Sequence, residues 1–425
     1  MGKGASTFEY RIKYPQVRQA IETAGFKPCL EALAAKLYSQ GYAAATLAFY
    51  DQAAVHFAYW VAHRHLHPSQ VSEAQTNFLS RHLARCCCPL GGVRQDKTVR
   101  AALRHFDAVL SSAGFRVWNP DNKPDPLRFE IQRFDDYLRT VAGLQEATRT
   151  YRRRYAREFL QAFFADGAVE MSRLAPRDVV GHVAIRAACL KPTSAKVFAS
   201  SHRSYFRFLR LHGKCEESLA LAVPAPATHR LASLPRILTD AQVRRLLAAF
   251  DRRTVAGRRD YAITQCFTNL GLRAEEVARL RLDDIDWRQG TLRIAGGKSR
   301  RDDQLPLSGS VGGAIAAYIR RGRPQTPTRQ VFLRVRPPIG KGAMPRTVRG
   351  VILRAAARAG LESLVTGNRI LRHTAATQLL RRGASLKEVA DVLRHRSLDT
   401  TTIYTKVDLP RLARVAAPWP EEVTQ

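Results

Sequence analysis

The sequence predicts a mainly α chain with a small β-sheet, laid out as tandem helical N-terminal domains followed by an α+β domain. Three observations lead there. Apolar residues recur at helical spacing, bounded by glycine stops and capping residues, through most of the chain. A four-helix pattern of about 100 residues occurs twice in the first half. One pair of alternating segments, residues 291–294 and 304–307, encloses a glycine pair, as a hairpin does.

Residues 1–27 are polar and basic. A short apolar helix over 30–37 ends at Gly41, and a second over 46–63 carries Phe49, Phe57 and Trp60. A third helix follows His67-Pro68 and precedes Cys86-Cys87-Cys88-Pro89, and a fourth over 99–112 ends at Gly114. The plan then repeats. Residues 129–141 form a helix that stops near Gly143, and 148–164 match 46–62 at constant offset: Gly41 with Gly143, Ala45 with Ala147, Phe49 with Tyr151, Ala54 with Ala156, Phe57 with Phe159. Arg203, Tyr205, Leu209 and Gly213 echo Arg104, Phe106, Leu110 and Gly114. Two unrelated helical bundles are the competing reading. The first domain is assigned to 1–115, the second to 126–215, a Pro-rich linker with Pro224, Pro226 and Pro235 to 216–236, and the last domain to 237–425.

In the last domain, Thr239 and Gln242 form a capping box ahead of Val243, Leu246, Leu247 and Phe250. Residues 258–270 form a helix ending at Gly271, and Arg273 opens the next, with Glu275 or Glu276 beside it. Residues 346–359 form another helix, basic on one side. Arg369 and Arg372 share a helix face, continued by Ala376 and Leu379, up to the stop at Gly383. Ser385 and Glu388 box the next helix, which delivers His395; Tyr404 follows nine residues later, after a short helix capped by Ser397 or Asp399. The tail, 406–415, carries Val407, Leu409, Leu412 and Val415, enough for a short helix that packs on its own domain or docks on another protomer.

With 425 residues the chain has room for two or three domains, and 45% apolar content gives each a core. Its 69 basic and 36 acidic residues leave a net charge of +33, which points to a polyanionic partner, usually nucleic acid. No run of about 18 apolar residues offers a membrane span. The polar first 14 residues lack a signal peptide's apolar stretch. Seven cysteines without a disulfide framework fit a reducing cytoplasm.

The chemistry concentrates late in the chain. Phosphoryl transfer asks for an in-line nucleophile and positive donors on the non-bridging oxygens. Tyr404 can be the nucleophile and hold the phosphate covalently. Arg273, Arg372 and His395 are suitable donors, and a flexible ammonium on the hairpin tip can protonate a leaving oxygen. Other chemistries fit less well. Cys86, Cys87 and Cys88 with His82 raise the question of zinc, but adjacent cysteines do not readily share one tetrahedral ion and there is no Cys-x-x-Cys, so no metal is expected. Asp283, Asp284 and Asp286 sit in a turn, where Asp is common. Gly297-Lys298-Ser299 copies the end of a phosphate-binding loop, but the first glycine of that motif falls on Leu292 and a strand follows, so ATP is not expected.

The boxes Gly271-Leu272-Arg273-Ala274-Glu275-Glu276, Gly296-Gly297-Lys298-Ser299-Arg300-Arg301, Arg369-Ile370-Leu371-Arg372, and His395 with Tyr404 together resemble the signature of tyrosine recombinases, the lambda-integrase and Xer-type enzymes. The resemblance covers about residues 129–410. It implies a site-specific recombinase that cuts and rejoins DNA through a 3′-phosphotyrosyl link. Arg273, Lys298, Arg372, His395 and Tyr404 would be catalytic, with no cofactor. It also implies double-stranded DNA as substrate and a homotetramer on DNA, or assembly with related recombinases. Integrase, transposase and resolution roles share this chemistry. The second helical domain resembles the family's DNA-clamping module, with Arg149, Arg152, Arg153, Arg203 and Arg207 tracking phosphates. Arg154, Arg157, Lys191, Lys196 and His202 give its helices the same character. One departure is clear: Arg369 stands where the family has His in a His-x-x-Arg box. Arg369 can donate to a phosphate but cannot shuttle protons. His373 is expected to face elsewhere. A type IB topoisomerase, a telomere resolvase, or a catalytically silent DNA-binding relative are the alternatives.

Overall fold

Most helix borders are set by local chemistry that the sequence spells out. The computed structural model describes residues 12, 14–66, 71–86, 88–90, 96–114, 126–164, 169–226, 234–295, 302–395 and 397–407. Backbone contacts divide the chain into two units, one of residues 1–67, 74–115 and 233–425, the other of 68–73 and 116–232.

The first unit begins with α1 (Pro15–Thr23), α2 (Lys27–Ser39) and α3 (Ala44–His63). After α4 (Val71–Asn77) come a π-helical turn, Phe78–His82, and a 3-10 turn, Leu83–Arg85, then α5 (Asp96–Ser112). Helix α3 is apolar almost all round, as a helix surrounded by others must be. It buries Ala54, Phe57, Ala58 and Val61 and packs on α1, α2 and α5.

The second unit holds α6 (Pro126–Thr140), α7 (Glu146–Phe164), α8 (Pro176–Ala188), α9 (Pro192–Leu211) and α10 (Glu217–Leu221). Its core is aromatic, with Phe134, Phe159, Phe198, Tyr205, Phe206 and Phe208 all fully buried. Helices α6, α7 and α9 pair with one another as α2, α3 and α5 do.

The first unit resumes with α11 (Asp240–Ala248), α12 (Val255–Leu270) and α13 (Ala274–Arg279). Thr239 and Gln242 make the expected capping box. A three-stranded antiparallel sheet follows in the order β1 (Ile285–Asp286), β2 (Thr291–Ile294), β3 (Asp303–Pro306). The expected hairpin is β2–β3, with Leu292 opposite Leu305; β1 was not anticipated because two residues are too short to show alternation. Then come α14 (Gly309–Arg321), α15 (Pro345–Arg358), α16 (Arg369–Arg381) and α17 (Leu386–Leu393). Helix α12 lies at the centre, against α14, α15 and α16. A smaller apolar cluster of Ala376, Leu380, Val389, Leu393 and Tyr404 joins α16, α17 and the turns beyond. Within this unit the Ile339 N–H donates to the Gln40 carbonyl at 3.0 Å, and the Ile339 side chain lies against Gly41.

Candidate functional site

The site is built where the end of α12, the start of α13, helix α16 and the end of α17 meet. Helix α12 ends at Gly271, whose φ of 56° is left-handed, a conformation glycine adopts without penalty. A Cβ at this position would come within 2.6 Å of Leu393 Cδ2, so glycine is required twice over. The turn presents the Gly271 carbonyl to Arg372, whose guanidinium donates to it and to the Leu393 carbonyl. Arg372 thereby ties the two chain segments together from the face of α16. Burial, reinforced by Arg273 and Arg394, pushes its pKa down to about 9, so it stays charged at neutral pH and is short of anions.

Arg273 caps α13 and reaches the same place from the other side. Glu276 accepts the Arg273 backbone N–H at 2.7 Å and its Nη1 at 2.7 Å, which names Glu276, not Glu275, as the orienting carboxylate. Arg273 Nη2 donates to the Arg394 carbonyl at 3.2 Å. The two arginines therefore bind consecutive carbonyls, those of residues 393 and 394.

Arg394 was not singled out from the sequence, yet it holds the site's frame. It is the C-cap of α17, in the left-handed region at φ 54°, and is 8% exposed. Its Nη2 donates to Glu276 at 2.7 Å. Burial works against the Glu276 charge, but Arg394 and Arg273 outweigh it and hold the carboxyl below its ordinary value. The signal was available: an Arg follows the last apolar residue of α17, where glycine is the common choice.

His395 comes next, with Nδ1 2.8 Å from Thr401 Oγ1, and Thr401 is fully buried. Ser397, not Asp399, caps the following 3-10 turn, Leu398–Thr400. A second turn, Thr402–Val407, carries Tyr404, whose ring stacks on His395 with centroids 6.3 Å apart. Tyr404 is 2% exposed. Burial raises its pKa, opposed by Arg372, Arg369 and Arg273.

One expectation is corrected. His373 does not face elsewhere: its Nδ1 lies 3.2 Å from the Tyr404 hydroxyl. The packing of Leu380, Leu393 and Tyr404 brings the last turn over that side of α16, which spacing along α16 alone does not reveal. Arg369, at the exposed N-terminal end of α16, lowers the pKa values of both His373 and Tyr404 through its charge. Lys298, with Arg300 and Arg301, lies outside the described residues, as does most of the tail.

Both histidines are neutral at pH 7. Burial, then Arg369 and Arg372, brings His373 down to about 4, and burial, then Arg372, brings His395 to about 4. A histidine whose folded pKa lies below its unfolded 6.5 binds fewer protons when folded, so stability falls as pH drops from about 6.5 toward 4. The thermal midpoint is expected to decline over that window, and less steeply in His373→Gln, which keeps a polar partner for Tyr404 but does not titrate.

In the second unit the arginines expected to track phosphates also make contacts within the chain. Arg149 and Arg153 pair with Asp135 and Glu146, fastening α7 to α6. Arg152 donates to Ser204 at 2.5 Å and Arg203 to the Pro224 carbonyl at 3.0 Å. Only Arg207 of the five is exposed. His202 is fully buried between Phe159 and Phe198, so it belongs to the core and not to a basic face.

Two guanidinium groups, two neutral imidazoles and a tyrosine hydroxyl thus converge, a set suited to attack on a phosphodiester. Residues 236–410 match the model of the phage integrase family. The chain is 39% identical over 324 residues to the putative integrase/recombinase y4rA of Sinorhizobium fredii, covering 76% of this chain and 79% of that protein. It is 29% identical over 288 residues to tyrosine recombinase XerC of Oceanobacillus iheyensis, covering 66% of this chain and 92% of that one. A lambda integrase dimer bound to a COC′ core site superposes on 69% of this chain and 98% of its own, with TM-score 0.53 and 15% identity. XerH recombinase bound to a palindromic difH substrate gives 75% and 84%, TM-score 0.50 and 16% identity. At those identities the superpositions speak to the fold; the sequence relationship settles membership, and the chain belongs to the phage integrase family of tyrosine recombinases, enzymes of site-specific DNA strand exchange.

Proposed function

We propose that Tyr404 is the residue through which this recombinase cuts and rejoins duplex DNA. The observation that carries the reading is the gathering of Arg273, Arg372, His395 and Tyr404 around the 393–394 backbone. Tyr404 Oη attacks phosphorus; the P–O bond to tyrosine forms as the P–O5′ bond breaks, leaving a 3′-phosphotyrosyl link and a 5′-hydroxyl. The tyrosine proton passes to neutral His373 Nδ1, its neighbour at 3.2 Å. The O5′ takes its proton from Lys298, a role assigned on sequence alone. Arg273 and Arg372 each carry five N–H donors, enough to keep their carbonyl and carboxylate bonds and still hold non-bridging oxygens. Arg369 adds a third guanidinium, and His395, fixed by Thr401, donates to the phosphate. One ester replaces another, so no cofactor is required. Exchange between two duplexes cuts four strands, one tyrosine each, and so calls for a homotetramer on DNA. An integration role agrees with the printed name of the y4rA relative, putative integrase/recombinase.

The test is covalent trapping. Genomic fragments bound by the full chain supply the site, and a nicked duplex carrying it is incubated with protein. A denaturation-resistant adduct with the DNA on the Tyr404 peptide supports the reading. No adduct from the wild-type chain overturns it in favour of a silent DNA-binding relative, the reading that Arg369 in place of His favours. In the same assay Arg372→Ala is expected to slow adduct formation by about 10²–10³-fold, the loss typical of one preorganised donor. Binding should be strongly salt-dependent: with about 6–10 phosphate contacts, affinity falls roughly 10³–10⁵-fold between about 50 and 200 mM salt, as a titration by fluorescence anisotropy would read.

A further inference from the structure

The N-terminal helices contain a cluster that strand exchange does not use. His56 on α3, His82 at the end of the π-helical turn, and Cys86 and Cys88 just beyond place one ligand atom each within 4.8 Å of one another. His56 Nε2 lies 3.1 Å from His82 Nε2 and 3.3 Å from Cys86 Sγ, and Cys88 Sγ lies 3.5 Å from His82 Nε2. A tetrahedral zinc with Zn–N of about 2.0–2.1 Å and Zn–S of about 2.3 Å has edges of about 3.3 Å between nitrogens and about 3.5 Å between nitrogen and sulfur. Three of the six separations match those edges to within a few tenths of an ångström, and all six lie within 4.8 Å. Two imidazoles and two thiols at this separation are the donor set of a closed structural zinc site.

The local fold serves this arrangement. The single π-helical turn, Phe78–His82, lets His82 leave the helix at an angle that a regular α-turn does not give. The backbone turns extended at Cys86, φ −66° and ψ 124°, and the Cys86 and Cys88 sulfurs lie within 4.8 Å of each other and of both imidazoles. This is how cysteines two apart share what adjacent ones cannot. The Cys88 N–H donates to Cys86 Sγ at 3.4 Å, the support a metal-bound thiolate receives. Phe78 and Trp60 pack against the imidazoles, of which His56 is buried and His82 half-buried. His56, 1% exposed and 30 residues from Cys86 in sequence, is the ligand that the sequence pattern did not connect.

We propose that His56, His82, Cys86 and Cys88 bind one Zn²⁺, which staples the turn after α4 to helix α3. Binding releases the two thiol protons to solvent, and two thiolates neutralise the ion. The ion is structural, since all four positions are filled by protein and none remains for water or substrate.

The full chain, expressed with added zinc and purified without chelator, is expected to carry about one zinc per chain by mass spectrometry of the metal. After exchange with Co²⁺ alone, it should show the intense visible bands and thiolate charge transfer of a tetrahedral N₂S₂ site. The Cys86→Ser/Cys88→Ser variant should lose both signals, while Cys189→Ser, outside the cluster, should keep them. Stripping the wild-type chain with a chelator should lower its unfolding midpoint, and added zinc should restore it. Under about a tenth of an equivalent of zinc in the wild-type chain after dialysis against zinc would overturn the site. So would metal retained in the double cysteine variant, or a cobalt spectrum without thiolate charge transfer. The last reading uses the wild-type chain alone and so stands even when the variant does not fold.

Discussion

Tyr404→Phe is expected to abolish the covalent protein–DNA adduct while leaving the fold and DNA binding intact. The phenol ring fills the pocket formed by Ala376, Leu380, Val389 and Leu393, and phenylalanine keeps that volume. What goes is the nucleophile itself, and no neighbouring hydroxyl replaces it: Thr401 is turned to His395. Among the described residues the bond forfeited is that to His373 at 3.2 Å, a net loss of about 1 kcal/mol. The variant should therefore bind the recovered DNA site with wild-type affinity and salt dependence, melt within a few degrees of wild type, and yield no adduct. An adduct persisting in Tyr404→Phe would move the nucleophile elsewhere.

Glu276→Ala is expected to be the most damaging substitution to the stability of the catalytic part. Glu276 is 8% exposed and takes three donors, the Arg273 N–H, Arg273 Nη1 and Arg394 Nη2, each at 2.7 Å. Its removal leaves Arg273, Arg372 and Arg394 facing one another without the anion that balances them. Breaking a buried pair on one side costs about 3–5 kcal/mol. The left-handed backbone at Arg394 also loses the bond that holds it there. A domain of about 200 residues shifts by roughly 2–4 °C per kcal/mol, so the thermal midpoint should fall by about 10 °C. Glu276→Gln retains acceptors for the N–H and one guanidinium and should fall less. An unchanged midpoint in Glu276→Ala would show that the arginines are held by other means.

What was legible in the sequence was local. The boxes at Thr239–Gln242 and Ser385–Glu388, and the stop at Gly271, depend on residues a turn apart, and each stands where expected. Arg273, Arg372, His395 and Tyr404 were legible because four boxes in one fixed order rarely arise by chance. Contacts made at long range were not. His373 meets Tyr404 only because the final turn folds back over α16. His56 meets Cys86 across 30 residues of chain. The ion pairs of Arg149 and Arg153 on α7 with Asp135 on α6 and Glu146 at the start of α7 were not legible either. A charge pattern on one helix carries no information about its neighbour's.

The place of Tyr404 has a consequence for fidelity. Tyr404 is 2% exposed, its ring sheathed by α16 and α17, so on the function proposed for it the hydroxyl would reach a phosphate once the 402–407 turn is drawn outward. Opening would then precede any cut, and a sequence that grips the protein too weakly to bring it about would pass unharmed. Selectivity can then reside in how readily a given duplex unsheathes the blade, apart from how firmly it is held.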